Sequence, residues 1–217
     1  MPQQTIGNET GKIFEQIKPF LIGRGIDIGC GDFPLNHPAL DTVDRSQSCN
    51  PTMCCSAVKI PVEKERYDFV YSSHVLEHIW FPEKALIEWL RILKPGGFLI
   101  LHLPHRYFYP NISDGTGNAD HKHDLVPEDV ITMLNKIGWS YLIQVTTLAE
   151  EVLVRYRETI PYRGPKCENQ YSFIIIAEKK NKKKIEKWII SGWINRYFKI
   201  RNSVSFHIKK LIESVIK

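Results

Sequence analysis

Apolar and polar positions along the chain follow two periods in turn, and the switches between them mark the elements. Residues 9–20, ETGKIFEQIKPF, put Ile13, Phe14 and Ile17 on one helical face and then meet Pro19, which predicts a short amphipathic helix. The next run, LIGRGIDIG, has the continuous apolar character of a strand buried on both faces. DTVDRS predicts a second strand ending at Asp44, residues 57–60 are a candidate third, and YDFVYSS from Tyr67 is a further one. HVLEHIWFPEKALIEWLRIL reads as one helix, with Ala85, Leu86, Trp89, Leu90 and Leu93 at helical spacing. LysProGlyGly at 94–97 stops it and turns the chain into the strand FLILHLP. Residues 105–126 show neither period and read as a loop. PEDVITMLNKIG is a helix with proline in its first turn and Gly138 beyond its end, and WSYLIQVTTL and YSFIIIAE are two last strands.

Strands that alternate with helices imply βαβ units, a doubly wound, mostly parallel α/β sheet and helices on both faces. The last two strands have no evident helix between them, so an antiparallel edge strand is expected. Open sheets of this kind take ligands beyond the carboxyl ends of their strands, and candidate site residues are therefore those just after each strand.

Composition adds a boundary. The chain has 217 residues, 43% hydrophobic and net charge +5, enough for one domain with a substantial core. The charge is unevenly spread: residues 179–217 hold 12 Lys or Arg against Glu186 and Glu213, or +10, and residues 1–178 hold 17 basic against 22 acidic groups, or −5. This divides the chain into a domain over 1–178 and a basic tail over 179–217. No apolar run reaches the roughly 20 residues of a membrane span, and MPQQTIGNETGK lacks a signal-peptide pattern, so a cytoplasmic protein is expected. Five cysteines, Cys30, Cys49, Cys54, Cys55 and Cys167, form no paired CxxC units and are expected as free thiols.

Glycine is costly in a strand, yet GIDIGCGD places Gly29 and Gly31 where a strand turns into a loop. There they let a ligand lie against the main chain. Asp44, at the end of the next strand, suits both hydroxyls of a ribose. SerSerHis at 72–74 caps the strand from Tyr67, and HLPH ends the strand after LysProGlyGly.

In this order, GIDIGCG, VDR, YDFVYSSHVLEHI, FPEKALIEWLRILKPGGFLIL and GW before a last strand resemble the class I S-adenosylmethionine-dependent methyltransferases, in their small-molecule, type 11 group. The resemblance covers roughly residues 20–178 and implies a Rossmann-like, seven-stranded sheet with its last strand antiparallel. It also implies S-adenosylmethionine as cofactor, with Asp27, Gly29, Cys30 and Gly31 by the methionine part and Asp44, with Arg45 beside it, at the ribose. The main chain at Ser73 and His74 would lie near the sulfonium. Where the family usually has AspAla at the adenine this chain has Ser56 and Ala57, leaving a weaker acceptor or the Ala57 amide. A dinucleotide oxidoreductase would need GxGxxG opening a helix, and Pro34 and Pro38 stand where that helix would run. A non-catalytic scaffold need not keep the ribose acid.

Methyl transfer to a hydroxyl also needs a proton removed, a task suited to histidine. HLPHRYFYPNISDGTGNADHKHDLVPED offers His105 or His123 as that base, with Asp124 orienting an imidazole. Solvated loop residues are the plain alternative, and His121, His123 and Asp124 have the spacing of an incomplete metal site. The tail repeats apolar residues at a mean step near the helical 3.6 and carries Trp188, Trp193, Tyr197 and Phe198, which predicts an amphipathic helix. Its partner is an anionic membrane surface, a partner protein or the acidic domain itself. A small-molecule acceptor at the inner membrane face follows: a sugar of a surface polysaccharide, carried on a nucleotide or a lipid, ahead of a quinone or lipid precursor. The acidic domain argues against nucleic acid.

Overall fold

The computed structural model describes residues 9–107, 109, 112, 115, 118–138, 142–147 and 172–179. They belong to one unit that ends at Lys180; a second unit, Asn181–Lys217, and with it the expected tail helix, lies outside the described residues.

Seven strands form one sheet: β1 (Gly25–Ile28), β2 (Leu40–Asp44), β3 (Met53–Cys54), β4 (Tyr67–Ser73), β5 (Leu93–Pro104), β6 (Leu142–Thr147) and β7 (Ser172–Glu178). Their order is β3-β2-β1-β4-β5-β7-β6. The β1–β2, β1–β4, β2–β3 and β4–β5 pairs are parallel, whereas β7 runs antiparallel to both neighbours. The last strand is thus antiparallel, and it sits one position in from the edge, with β6 outermost. The strand order reverses between β1 and β4, and in open α/β sheets the carboxyl ends of the strands at such a reversal are where ligands bind.

Alternation explains why the strands look uniformly apolar. In β5 and β7, Leu99, Leu101, Leu103, Phe173, Ile175 and Ala177 point to one face, where they pack with Leu86, Trp89 and Val130. Ile100, Ile174 and Ile176 point to the other and pack with Ile13 and Ile17. Helix α1 (Glu9–Ile17) therefore covers one face, and α2 (Pro82–Ile92) with α3 (Pro127–Lys136) the other. Trp89 is fully buried and its indole N–H donates to the Ala57 carbonyl at 2.9 Å, tying the core to the segment after β3.

Three boundaries differ from the sequence reading. Helix α2 ends at Ile92, and β5 begins already at Leu93 and runs through LysProGlyGly. The third strand is Met53–Cys54, paired beside Val43 and Asp44, while Ala57 and Val58 form a turn and residues 59–60 are irregular. The stretch HVLEHIWF is not helical throughout: Leu76–His78 form a single 3-10 turn and α2 starts at Pro82, because proline at the first helical position has its φ already set and no N–H to satisfy. Among the described residues no helix is long and apolar enough to cross a membrane, and Cys30, Cys49, Cys54 and Cys55 are free thiols.

Candidate active site

The loop leaving β1 is held by three bonds. Gly29 and Cys30 both donate to the Val43 carbonyl, at 2.7 and 3.1 Å, and Gly31 donates to Asp44 Oδ2 at 3.1 Å. Gly29 and Gly31 have φ of +77° and +51°, in the left-handed region that side chains avoid. A Cβ on Gly29 would lie 2.1 Å from Val75 Cγ2, whereas nothing stands within 4 Å of one on Gly31. The first glycine is therefore demanded by packing within the chain. The second opens onto empty space.

Asp44 ends β2 with its carboxylate half-buried; Oδ1 accepts the Ser46 amide at 2.8 Å. Asp27 is buried beneath the loop, and its Oδ2 accepts the Leu35 amide at 2.8 Å. Burial pushes its carboxyl up to about 7; the Leu35 amide opposes this and the Asp44 charge adds to it. Arg45 and Ser56 are exposed, and Ala57 is half-buried against the core.

At the end of β4, the Ser72 hydroxyl donates to the Ile28 carbonyl at 3.0 Å, locking the two central strands. Ser73 Oγ meets His102 Nδ1 at 3.0 Å, and His74, at φ +54°, donates its amide to the His102 carbonyl at 2.8 Å. The His74 ring is half-buried and held near pKa 4, first by desolvation, with the Glu9 charge opposing. Gly29, Cys30, Gly31, Asp44, Ser56, Ala57, Ser73 and His74 thus all line up along the carboxyl ends of β1 to β4, and Asp27 lies just below.

The histidine loop divides. His105 is 2% exposed, its ring edge-on to Phe173, and its Nδ1 accepts the Tyr107 amide at 3.2 Å. Its neutral ring therefore carries the proton on Nε2 and has no free lone pair for a base. His123 is opposite in kind: its Nε2 donates to the Ile79 carbonyl at 3.0 Å, leaving the lone pair on Nδ1. The expected pairing of an imidazole with Asp124 is not formed among the described residues, since both Asp124 oxygens face the Ile112 amide at 3.1 Å. His123 and Asp124 line an open groove of about 680 Å³ with Arg106, Lys122 and Met133.

Burial of neutral imidazoles has a pH signature. Desolvation holds His105 near 4, with the Arg106 charge adding to the shift, and desolvation takes His102 well below the usual range. For a base whose pKa is depressed on folding, the stability is present above the unfolded value near 6.5 and is lost as pH falls toward 4. His105→Gln is expected to flatten the fall of unfolding free energy between pH 6 and 4.5 by about 1.4 kcal/mol per pH unit, measured by denaturant titration at each pH. An unchanged slope would show that His105 protonates without unfolding the site.

Residues 34–101 match a family model described as a methyltransferase domain. The chain is similar to a probable S-adenosylmethionine-dependent methyltransferase of Mycolicibacterium smegmatis, 26% identical over 81 residues that cover 37% of this chain and 32% of that protein. It is also similar to a malonyl-[acyl-carrier protein] O-methyltransferase of a Marinomonas species, 27% identical over 82 residues, 36% of this chain and 30% of the relative. The chain thus matches about a third of the length of these curated relatives. A solved S-adenosylmethionine-dependent methyltransferase of Thermotoga maritima, described as a possible histamine N-methyltransferase, superposes with a TM-score of 0.60 at 21% identity, over 79% of this chain and 89% of that one.

Proposed function

We propose that this chain, whose residues 34–101 match a methyltransferase domain, is a class I S-adenosylmethionine-dependent methyltransferase that methylates a hydroxyl of a small-molecule acceptor, a sugar in surface-glycan biosynthesis, at the inner face of the membrane. One observation carries the cofactor half: the open left-handed position at Gly31, in the loop after β1, is hydrogen-bonded to the Asp44 carboxylate at the end of the neighbouring β2. That arrangement fits the cofactor, with an open cradle for its methionine part and an acceptor for its ribose diol.

S-adenosylmethionine supplies a methyl group already activated on a sulfonium. Asp27, poised near neutrality, gains its charge when an ammonium is brought to the loop above it. Asp44 holds the Gly31 amide with one oxygen and the Ser46 amide with the other, and each oxygen keeps a lone pair for a ribose hydroxyl. Ala57, pinned by Trp89, offers its amide and an apolar wall to a base. His123, the imidazole with a free Nδ1, is the general base that takes the acceptor proton.

The sugar and membrane assignment draws on the composition of residues 179–217, whose +10 charge and interleaved aromatic residues suit an anionic surface. Two measurements test the whole. Calorimetry with S-adenosylmethionine and S-adenosylhomocysteine is expected to show binding of both; absence of both overturns the enzyme reading. Methyl transfer from labelled cofactor to a panel of nucleotide sugars is expected to be lowered about a hundredfold or more by His123→Gln, the usual range for a general base. Transfer at the normal rate in that variant removes His123 as base.

A further inference from the structure

A second cluster of side chains stands at the carboxyl end of the sheet, and cofactor recognition leaves it unused. Glu77 and His78 lie in the 3-10 turn after β4, and His121 comes from the loop after β5. Glu77 is fully buried, and among the described residues neither carboxylate oxygen has a hydrogen-bond partner. A buried carboxylate with no partner is costly, and such groups are retained where something else satisfies them. His78 Nε2 lies 3.9 Å from Glu77 Oε1. One ligand atom each from Glu77, His78 and His121 lie within 4.8 Å of one another.

The backbone holds this grouping in place. The amides of Lys122 and His123 both donate to the Glu77 carbonyl, at 2.7 and 3.1 Å, so the loop that carries His121 is sewn to the turn that carries Glu77. The two imidazoles meet edge to face with ring centres 4.7 Å apart.

We propose that Glu77, His78 and His121 form a site for a divalent transition-metal ion. Two imidazoles and one carboxylate suit Mn²⁺, Fe²⁺, Co²⁺ or Zn²⁺; Ca²⁺ seeks six or more oxygens. Binding draws the three side chains inward and pairs the buried Glu77 charge. Three protein ligands leave coordination positions open, and His74, whose Nδ1 is 3.6 Å from Glu77 Oε1, joins this cluster to the end of β4. The class of acceptor that fits is one with an oxygen donor, best two adjacent hydroxyls, which the ion would orient and make more acidic. That role rests on the methyltransferase reading; the ion site does not.

The test is calorimetric titration of the full chain, stripped with chelator, with MnCl₂ in the absence of acceptor. One equivalent is expected to bind. Glu77→Gln and His121→Gln are each expected to weaken it about tenfold or more, while His37→Gln, in the loop before β2, leaves it unchanged. S-adenosylhomocysteine binding by each variant distinguishes a lost ligand from a lost fold, and His121→Gln carries the test if Glu77→Gln does not fold. Undiminished Mn²⁺ binding in His121→Gln, or no binding to the unaltered chain at millimolar Mn²⁺, overturns the site. An unaltered chain that binds Mn²⁺ but neither form of the cofactor overturns the methyltransferase reading and keeps the site.

Discussion

Asp44→Asn is expected to weaken S-adenosylhomocysteine binding by roughly 30- to 150-fold. The carboxylate ends β2 with one oxygen on the Gly31 amide and the other on the Ser46 amide. In the proposed complex each oxygen takes a ribose hydroxyl as well, so four donors converge on one charged group. Asparagine keeps the shape but offers a single acceptor oxygen, and its NH₂ must then face either a main-chain N–H or a hydroxyl. Hydrogen bonds to charged groups are worth about 1.5–3 kcal/mol each, so losing one and facing a donor with a donor costs about 2–3 kcal/mol of affinity. Calorimetry gives the affinity, and thermal unfolding of the free variant shows that the loop still folds. Affinity within about threefold of the unaltered chain would place the ribose elsewhere.

Much of this site was legible in the sequence because the residues that make it follow strands, and strands announce themselves by apolar runs. Gly29, Gly31, Asp44, Ser73 and His74 fall on one rim as their positions required. The short β3 was misplaced because two residues, one exposed and one half-buried, leave no hydrophobic pattern to read. Reading HVLEH as helix hid the consequence of Glu77 and His78: in a helix they would be neighbours on a turn, whereas the 3-10 turn after β4 buries Glu77 and leaves its oxygens facing inward. The histidine loop misled in a different way. Adjacency in sequence grouped His121, His123 and Asp124, but residues in an irregular loop share no face. His121 turns to Glu77 and His78, His123 to the Ile79 carbonyl and Asp124 to the Ile112 amide. The clue available in sequence was the pairing of one isolated buried-type acid, Glu77, with distant histidines, and only the backbone bonds to the Glu77 carbonyl show which histidine it meets.

The two glycines of GIDIGCGD should part company on mutation. Gly29→Ala meets two penalties at once: a φ of +77°, worth about 1–2 kcal/mol for a residue with a Cβ, and overpacking against Val75 Cγ2 at 2.1 Å, worth about 1–3 kcal/mol. A loss of roughly 2–5 kcal/mol of unfolding free energy is expected in denaturant titrations. Adding Val75→Ala to this variant should return the packing share and leave the backbone share, because only the side-chain wall has been removed. Gly31→Ala pays the backbone penalty alone, about 1–2 kcal/mol, since no atom stands within 4 Å of the new methyl group. Its larger effect falls on the cofactor, because the methyl group fills the space into which the loop opens. S-adenosylhomocysteine binding is expected to drop by about a hundredfold or more, an overpacking cost near 3 kcal/mol felt only in the complex. The pair of variants thus separates a glycine kept for the fold from one kept for the ligand. If Gly31→Ala binds as tightly as the unaltered chain, the open position is not the cradle, and the methionine part must lie along β4, beside Ser73 and His74, instead.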